Sequence, residues 1–136
     1  NICCVAKGGL VLFELKVLIV DDQSGIRRLL TEYFKHEGWR PVVAANGREA
    51  LDLLPENPDV ILLDIKMPIM DGIETLRTLR RTHPSLPVIV MTAYGELDVV
   101  QQAESLGISA KVHKPFDVVA LKSMIESIHL QHLHVS

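Results

Sequence analysis

Short runs of aliphatic and β-branched residues recur along the chain, and most stop at a polar side chain. Lys16 to Val20 is apolar from Val17 onward and is followed at once by Asp21 and Asp22. Val60 to Leu63 stops at Asp64, and Val88 to Met91 stops at Thr92. Arg40 to Ala44 and Ala110 to His113 complete the set, the latter ending at Lys114. Apolar runs this short, without polar alternation, predict strands buried on both faces, as in a parallel sheet. Between them the period becomes helical. Ile26, Leu29, Leu30, Tyr33 and Phe34 share one face of a first helix, which Gly38 closes as a C-terminal cap. Asn46 with Glu49 predicts a capping box for a second helix carrying Ala50, Leu51 and Leu54, followed by a loop from Pro55 to Pro58. Asp71-Gly72 leads to a third helix with Ile73, Leu76 and Leu79. A fourth runs from about Leu97 to Leu106 and stops at Gly107. Asp117 caps a fifth, with Leu121, Met124, Ile125 and Ile128 turned inward.

Five strand–helix units predict an α/β fold: a doubly wound, five-stranded parallel sheet with helices on both faces. The expected domain spans residues 15–132, after an N-terminal extension at 1–14 and before a tail at 133–136. Ligands of such sheets bind beyond the carboxyl ends of the strands.

Composition narrows the function classes. The chain has 136 residues, 48% hydrophobic and 23% charged, which excludes a disordered tract. A net charge of −3 and the lack of a basic stripe argue against nucleic-acid binding. The stretch Leu10 to Val20 is broken by Glu14 and Lys16 and is too short to span a bilayer. The start lacks the basic region of a signal peptide. Cys3 and Cys4 read as free thiols, since neighbours seldom pair and two ligands alone do not hold zinc. Asn1 is no initiator, and Lys7-Gly8-Gly9 is what a purine-rich ribosome-binding stretch encodes when read in frame. Residues 1 to about 10 are therefore expected to be artefactual, with a start at Val11 or Leu12. Met67, Met70 and Met91 read as packing, and His129, His132 and His134 as a solvated helix end.

The strand ends carry the chemistry. Two adjacent carboxylates at the mouth of an apolar core repel each other and resist dehydration, so a cation should sit beside them. Asp64 adds a third carboxylate, and a hard, oxygen-rich set of this kind suits Mg²⁺. A carboxylate held at the end of a buried strand can attack phosphorus and form an acyl phosphate. Lys114 and Thr92 are then placed to meet the phosphoryl oxygens with an ammonium and a hydroxyl.

VDD at 20–22, LLDIKMPIMDG at 62–72, VIVMTAYG at 88–95 and KPF at 114–116 together resemble the receiver domain of bacterial two-component response regulators. The resemblance covers about residues 15–130 and implies a flavodoxin-like, CheY-like sheet of strand order 2-1-3-4-5. VDDQSGIRRLL and MTAYGELD are similar, more narrowly, to the single-domain intermediate regulators of sporulation phosphorelays. The resemblance implies that Asp64 is the phosphoacceptor. It implies Mg²⁺, replaceable by Mn²⁺, on Asp22, Asp64 and the backbone carbonyl of Lys66, with Asp21 assisting through water. Thr92 and Lys114 become the pair that senses the phosphoryl group. Lys66 and Tyr94 flank the acceptor and tune its access to water. Expected partners are a sensor histidine kinase, a phosphotransferase or downstream regulator, and a phosphatase. Docking is expected on an apolar ring of Gln23, Ile26, Leu29, Pro115 and Phe116 around Asp64. The expected protein is a cytoplasmic monomer that touches neither membrane nor nucleic acid. It phosphorylates itself and loses the group slowly, without turnover.

Three further points belong to the sequence. Lys111 stands where many receivers carry an aromatic, three residues before the strand-five lysine, so an aromatic switch is not expected. The Lys114–Pro115 bond is expected to be cis, because a tight turn must aim Lys114 over the site. Two rival functions remain. One is the receiver half of a truncated transcriptional regulator. The other is a metal-dependent aspartyl-phosphate phosphatase, disfavoured because Lys66 stands where such an enzyme places its acid/base carboxylate.

Overall fold

A computed structural model describes residues 3–5, 11–67, 70–93 and 95–135. Two short strands, β1 (Cys3–Val5) and β2 (Val11–Phe13), pair antiparallel. The central sheet follows: β3 (Lys16–Val20), β4 (Arg40–Ala44), β5 (Val60–Asp64), β6 (Val88–Thr92) and β7 (Ala110–His113). All four neighbouring pairs are parallel, in the order β4-β3-β5-β6-β7. This is the expected order, 2-1-3-4-5 when the five central strands are counted alone.

Five helices cover the sheet: α1 (Ser24–His36), α2 (Gly47–Asp52), α3 (Gly72–Thr82), α4 (Leu97–Leu106) and α5 (Val118–Val135). Alternate strand residues face opposite ways. Leu18, Val20, Ile61, Leu63, Val88 and Val90 therefore pack under α2, α3 and α4. Val17, Ile19, Val60, Leu62, Ile89 and Met91 pack under α1 and α5, with Phe34 stacked on Trp39 at 5.1 Å between ring centres.

The helix starts were readable because their bonds are local. Asn46 Oδ1 accepts the Glu49 N–H at 3.0 Å, and Asp71 Oδ1 accepts the Glu74 N–H at 2.8 Å. Glu49 completes a variant box by accepting the N–H of Ala45, not of Asn46, at 2.7 Å. Asp117 Oδ1 takes the Val119 N–H at 2.9 Å. Gly38 follows α1 with φ at 85°, a conformation glycine adopts freely.

Several expectations are corrected. α2 ends at Asp52, and Leu54 and Pro55 lie in a separate 3₁₀ turn, Leu54–Glu56, where a proline near the start suits a short helix. Asp64 and Thr92 do end their strands, as expected. Leu29 is 49% exposed, because the apolar stripe of α1 is narrower than its five candidates. His129 is buried, since it follows Leu121 and Ile125 at four-residue steps on the inner face of α5. α5 itself continues through the expected tail to Val135. No described helix is long and apolar enough to cross a membrane. The artefact expected within the first ten residues falls mostly outside the described ones.

Candidate functional site

Register brings the polar strand ends level. Val20 pairs with Leu63, so Asp21 and Asp64 follow side by side on β3 and β5. Asp64 pairs with Met91, and Thr92 with His113, which places Lys114 one step farther along the next edge.

Asp21 is fully buried and is held from several directions. Its N–H donates to the Ala44 carbonyl at 3.1 Å, and its own carbonyl accepts from Arg27 Nη1 at 2.7 Å. Its Oδ1 accepts the Gln23 N–H at 2.8 Å. Its Oδ2 receives the Lys114 ammonium at 2.6 Å. The same ammonium lies 3.4 Å from Asp64 Oδ2 and 3.4 Å from Gln23 Oε1. Asp64 Oδ1 accepts the Lys66 N–H at 3.2 Å. The Lys114 N–H donates to the Thr92 carbonyl at 2.8 Å, and the Lys114–Pro115 bond is cis, as expected. The buried Thr92 hydroxyl donates to the Val112 carbonyl at 3.4 Å.

Charge is crowded here. Burial first, and then the charge of Asp21, push the Asp64 carboxyl up to about 6; the Lys66 N–H and the Lys114 ammonium pull the other way. Burial would lower Lys114, but the Asp21 hydrogen bond and the charges of Asp64 and Asp21 outweigh it and raise its affinity for the proton. One oxygen from each of Asp21, Asp22 and Asp64 lies within 4.8 Å of the others. Three hard carboxylate donors converging so closely fit a small divalent cation, and one protein ammonium leaves them under-neutralised.

A cleft of about 250 Å³ opens over Asp64, lined by Asp22, Gln23, Lys66, Ala93, Glu96 and Lys114. Lys66 is exposed at its rim; Tyr94, named with it, lies outside the described residues. Of the docking candidates, Leu29, Gln23 and Pro115 are exposed. Ile26 and Phe116 are half-buried and pack on the core under α1 and α5, so the ring is less open than its sequence suggests. Lys111 is exposed and ties β7 to α4 through Glu104 at 3.0 Å. Beside it a cavity of about 160 Å³ is lined by Thr92, Glu96 and His113.

Two residues were missed. Arg27 supports the Asp21 backbone, and no spacing rule links a helix arginine to that carbonyl. Glu96 lines the cleft and takes the Ala93 N–H at 2.6 Å. Its place just before α4, three residues after Ala93, was the available signal.

The family described as the response regulator receiver domain matches residues 17–126. The chain belongs to that family. This receiver domain is 48% identical over 112 residues to Sporulation initiation phosphotransferase F of Bacillus subtilis (strain 168), covering 82% of this chain and 90% of that protein. It is 42% identical over 112 residues to Regulatory protein AtoC of Escherichia coli (strain K12), covering 82% of this chain but only 24% of that one. Among solved structures, a CheY-like receiver domain protein from Methanospirillum hungatei JF-1 superposes with a TM-score of 0.85 at 27% identity, over 91% of this chain and all of the other. Membership makes this receiver domain a phosphoacceptor signalling module of two-component systems, whose partners are histidine kinases and the proteins that respond to or receive the phosphoryl group.

Proposed function

We propose that Asp64 takes a phosphoryl group from a phosphohistidine of a sensor kinase. The observation that carries this reading is the Lys114 ammonium shared between Asp21 and Asp64, beside three carboxylates within 4.8 Å. An Asp64 oxygen attacks phosphorus, the P–N bond breaks, and the imidazole nitrogen leaves with the electron pair. The product is an acyl phosphate on Asp64. Lys114 turns its ammonium from the carboxylates toward the new phosphoryl oxygens. The Thr92 hydroxyl, whose bond to the Val112 carbonyl is long at 3.4 Å, can turn to donate to one of them. Asp22, Asp64 and the Lys66 carbonyl would hold Mg²⁺, or Mn²⁺ in its place, with Asp21 assisting. When bound, the ion supplies positive charge that offsets carboxylates and phosphoryl oxygens alike. Asp64 releases the group slowly, because Lys66 two residues later offers no acid/base carboxylate to drive turnover. Lys66 and Tyr94 shield the acyl phosphate from water.

The relative from Bacillus subtilis is named a phosphotransferase of sporulation initiation, and most of its length is matched. On that support the role is a relay carrier in the cytoplasm: a monomer that passes the group to a phosphotransferase and is reset by a phosphatase. The net charge of −3 gives it no attraction for nucleic acid. Gln23, Leu29 and Pro115, with the edges of Ile26 and Phe116, form the docking surface. The second reading is the receiver portion of a longer regulator, favoured by the partial coverage of AtoC.

Incubation with Mg²⁺ and a small acyl phosphate, followed by mass measurement and peptide mapping, tests the reaction. One phosphoryl group on Asp64 is expected; uptake elsewhere, or none, overturns it. Leu29→Ala should slow transfer from a phosphorylated histidine protein while sparing the small donor. Equal loss from both donors, or no loss, removes the docking surface.

A further inference from the structure

The loop between β5 and α3 carries Lys66 at its start, where the Lys66 N–H donates to Asp64 Oδ1, and Met70 and Asp71 at its end. One end of the loop is closed by Gly72, whose N–H donates to the Ile65 carbonyl at 3.1 Å. A Cβ on Gly72 would stand 2.7 Å from the Asp64 carbonyl oxygen, so only glycine lets α3 start against the acceptor's own backbone. The other clamp comes from α2. Gly47 is buried, and its N–H donates to the Met70 carbonyl at 3.3 Å. A Cβ on Gly47 would meet Thr75 Oγ1 inside contact distance and the Met70 carbonyl oxygen at 2.8 Å. Met70 Cγ, at 2.9 Å, can swing away; a backbone carbonyl cannot. Thr75 is tied in turn to the Asp71 carbonyl at 2.7 Å.

We propose that Gly47 is a positioning residue for the Asp64 site: its bare Cα lets α2 seat the Met70 end of the loop, and thereby sets where Lys66 stands relative to Asp64. The proposal rests on the reading of Asp64 as phosphoacceptor and of the Lys66 carbonyl as a cation ligand. It adds a residue from an element that contributes nothing to the cleft itself. Alanine is a better helix former than glycine, so local propensity would favour the substitution and any loss must come from the contacts. Met70 lies two residues before Gly72, and Gly72 is bonded to the Ile65 carbonyl just before Lys66, so a displacement at Met70 is passed through Gly72 to the backbone that holds Lys66. Misplacement of reacting groups by ångström fractions costs rates heavily.

The test uses the full chain and three readouts: Mg²⁺ affinity from the dependence of melting temperature on ion concentration, hydrogen exchange of the Lys66 amide without metal, and phosphoryl uptake from a small acyl phosphate. Gly47→Ala should weaken Mg²⁺ binding and slow uptake by about tenfold, and speed Lys66 exchange. Thr75→Ala in addition removes the side-chain clash but not the pressure on the Met70 carbonyl. The double variant should recover its melting temperature while Mg²⁺ affinity and Lys66 protection stay low. Val88→Ala, at the far end of β6, supplies a destabilised control that should keep both. Gly47→Ala with wild-type affinity and exchange, or a double variant in which all readouts recover together, overturns the positioning role. Wild-type protein that takes up no phosphoryl group overturns the underlying reading, and the positioning role with it.

Discussion

The two ends of β3 use the same kinds of side chain to opposite effect. At the amino end, Lys16 reaches the Glu56 carbonyl at 2.7 Å, with the Glu56 carboxylate 4.0 Å away, and Asp59 takes the Lys16 N–H at 2.8 Å. Lys16 and Asp59 each have a backbone partner, and Glu56 stays in water. At the carboxyl end, Asp21 and Asp64 share one ammonium with Asp22 close by, and Asp21 has no exposure at all. The first end spreads its charge; the second concentrates it where burial of Asp21 and Asp64 weakens screening by water. The sheet thus tolerates an electrostatic conflict at one end, and that is the end with room for a cation and a phosphoryl group.

The harshest way to break the contrast is Asp64→Asn. The amide is nearly isosteric but does not attack phosphorus, so phosphoryl uptake should fall to background on mass analysis. Next comes Lys114→Ala, which strips the ammonium from a buried Asp21. Without metal at pH 7 it should cost about 3 kcal/mol in urea unfolding, less than a fully enclosed pair because Lys114 is 18% exposed.

The pH dependence sharpens the comparison further. The Asp64 carboxyl lies at about 6 in the fold against 3.8 unfolded. Between those values the native state binds the extra proton, so stability from this group is fully present below the lower value and falls as pH rises toward the upper one. The loss should reach about 3 kcal/mol and stop above about pH 6. It is read as the growing difference between wild type and Asp64→Asn in metal-free unfolding, and saturating Mg²⁺ should flatten it. The smallest effect belongs to the other end: Lys16→Ala should cost under about 1 kcal/mol, since its ion pair is loose and solvated. A loss as large as that of Lys114→Ala would end the distinction between the two ends.

Sequence alone determined what depends on neighbours along the chain. Asn46, Asp71 and Asp117 cap their helices through bonds that span two or three residues, so the helix starts were legible. Apolar runs bounded by turns settled the parallel sheet, and the polar residue at each strand end marked Asp21, Asp64, Thr92 and Lys114. Only tertiary structure decided what depends on segments far apart. Leu29 is open although it falls in the apolar pattern of α1, because burial is set by what packs against a helix, not by its own periodicity alone. Arg27 on the Asp21 carbonyl and Gly47 under the Met70 carbonyl join elements whose approach no spacing rule encodes. The rise of the Asp64 carboxyl comes from burial more than from its charged neighbour, and burial exists only once the helices close over the sheet.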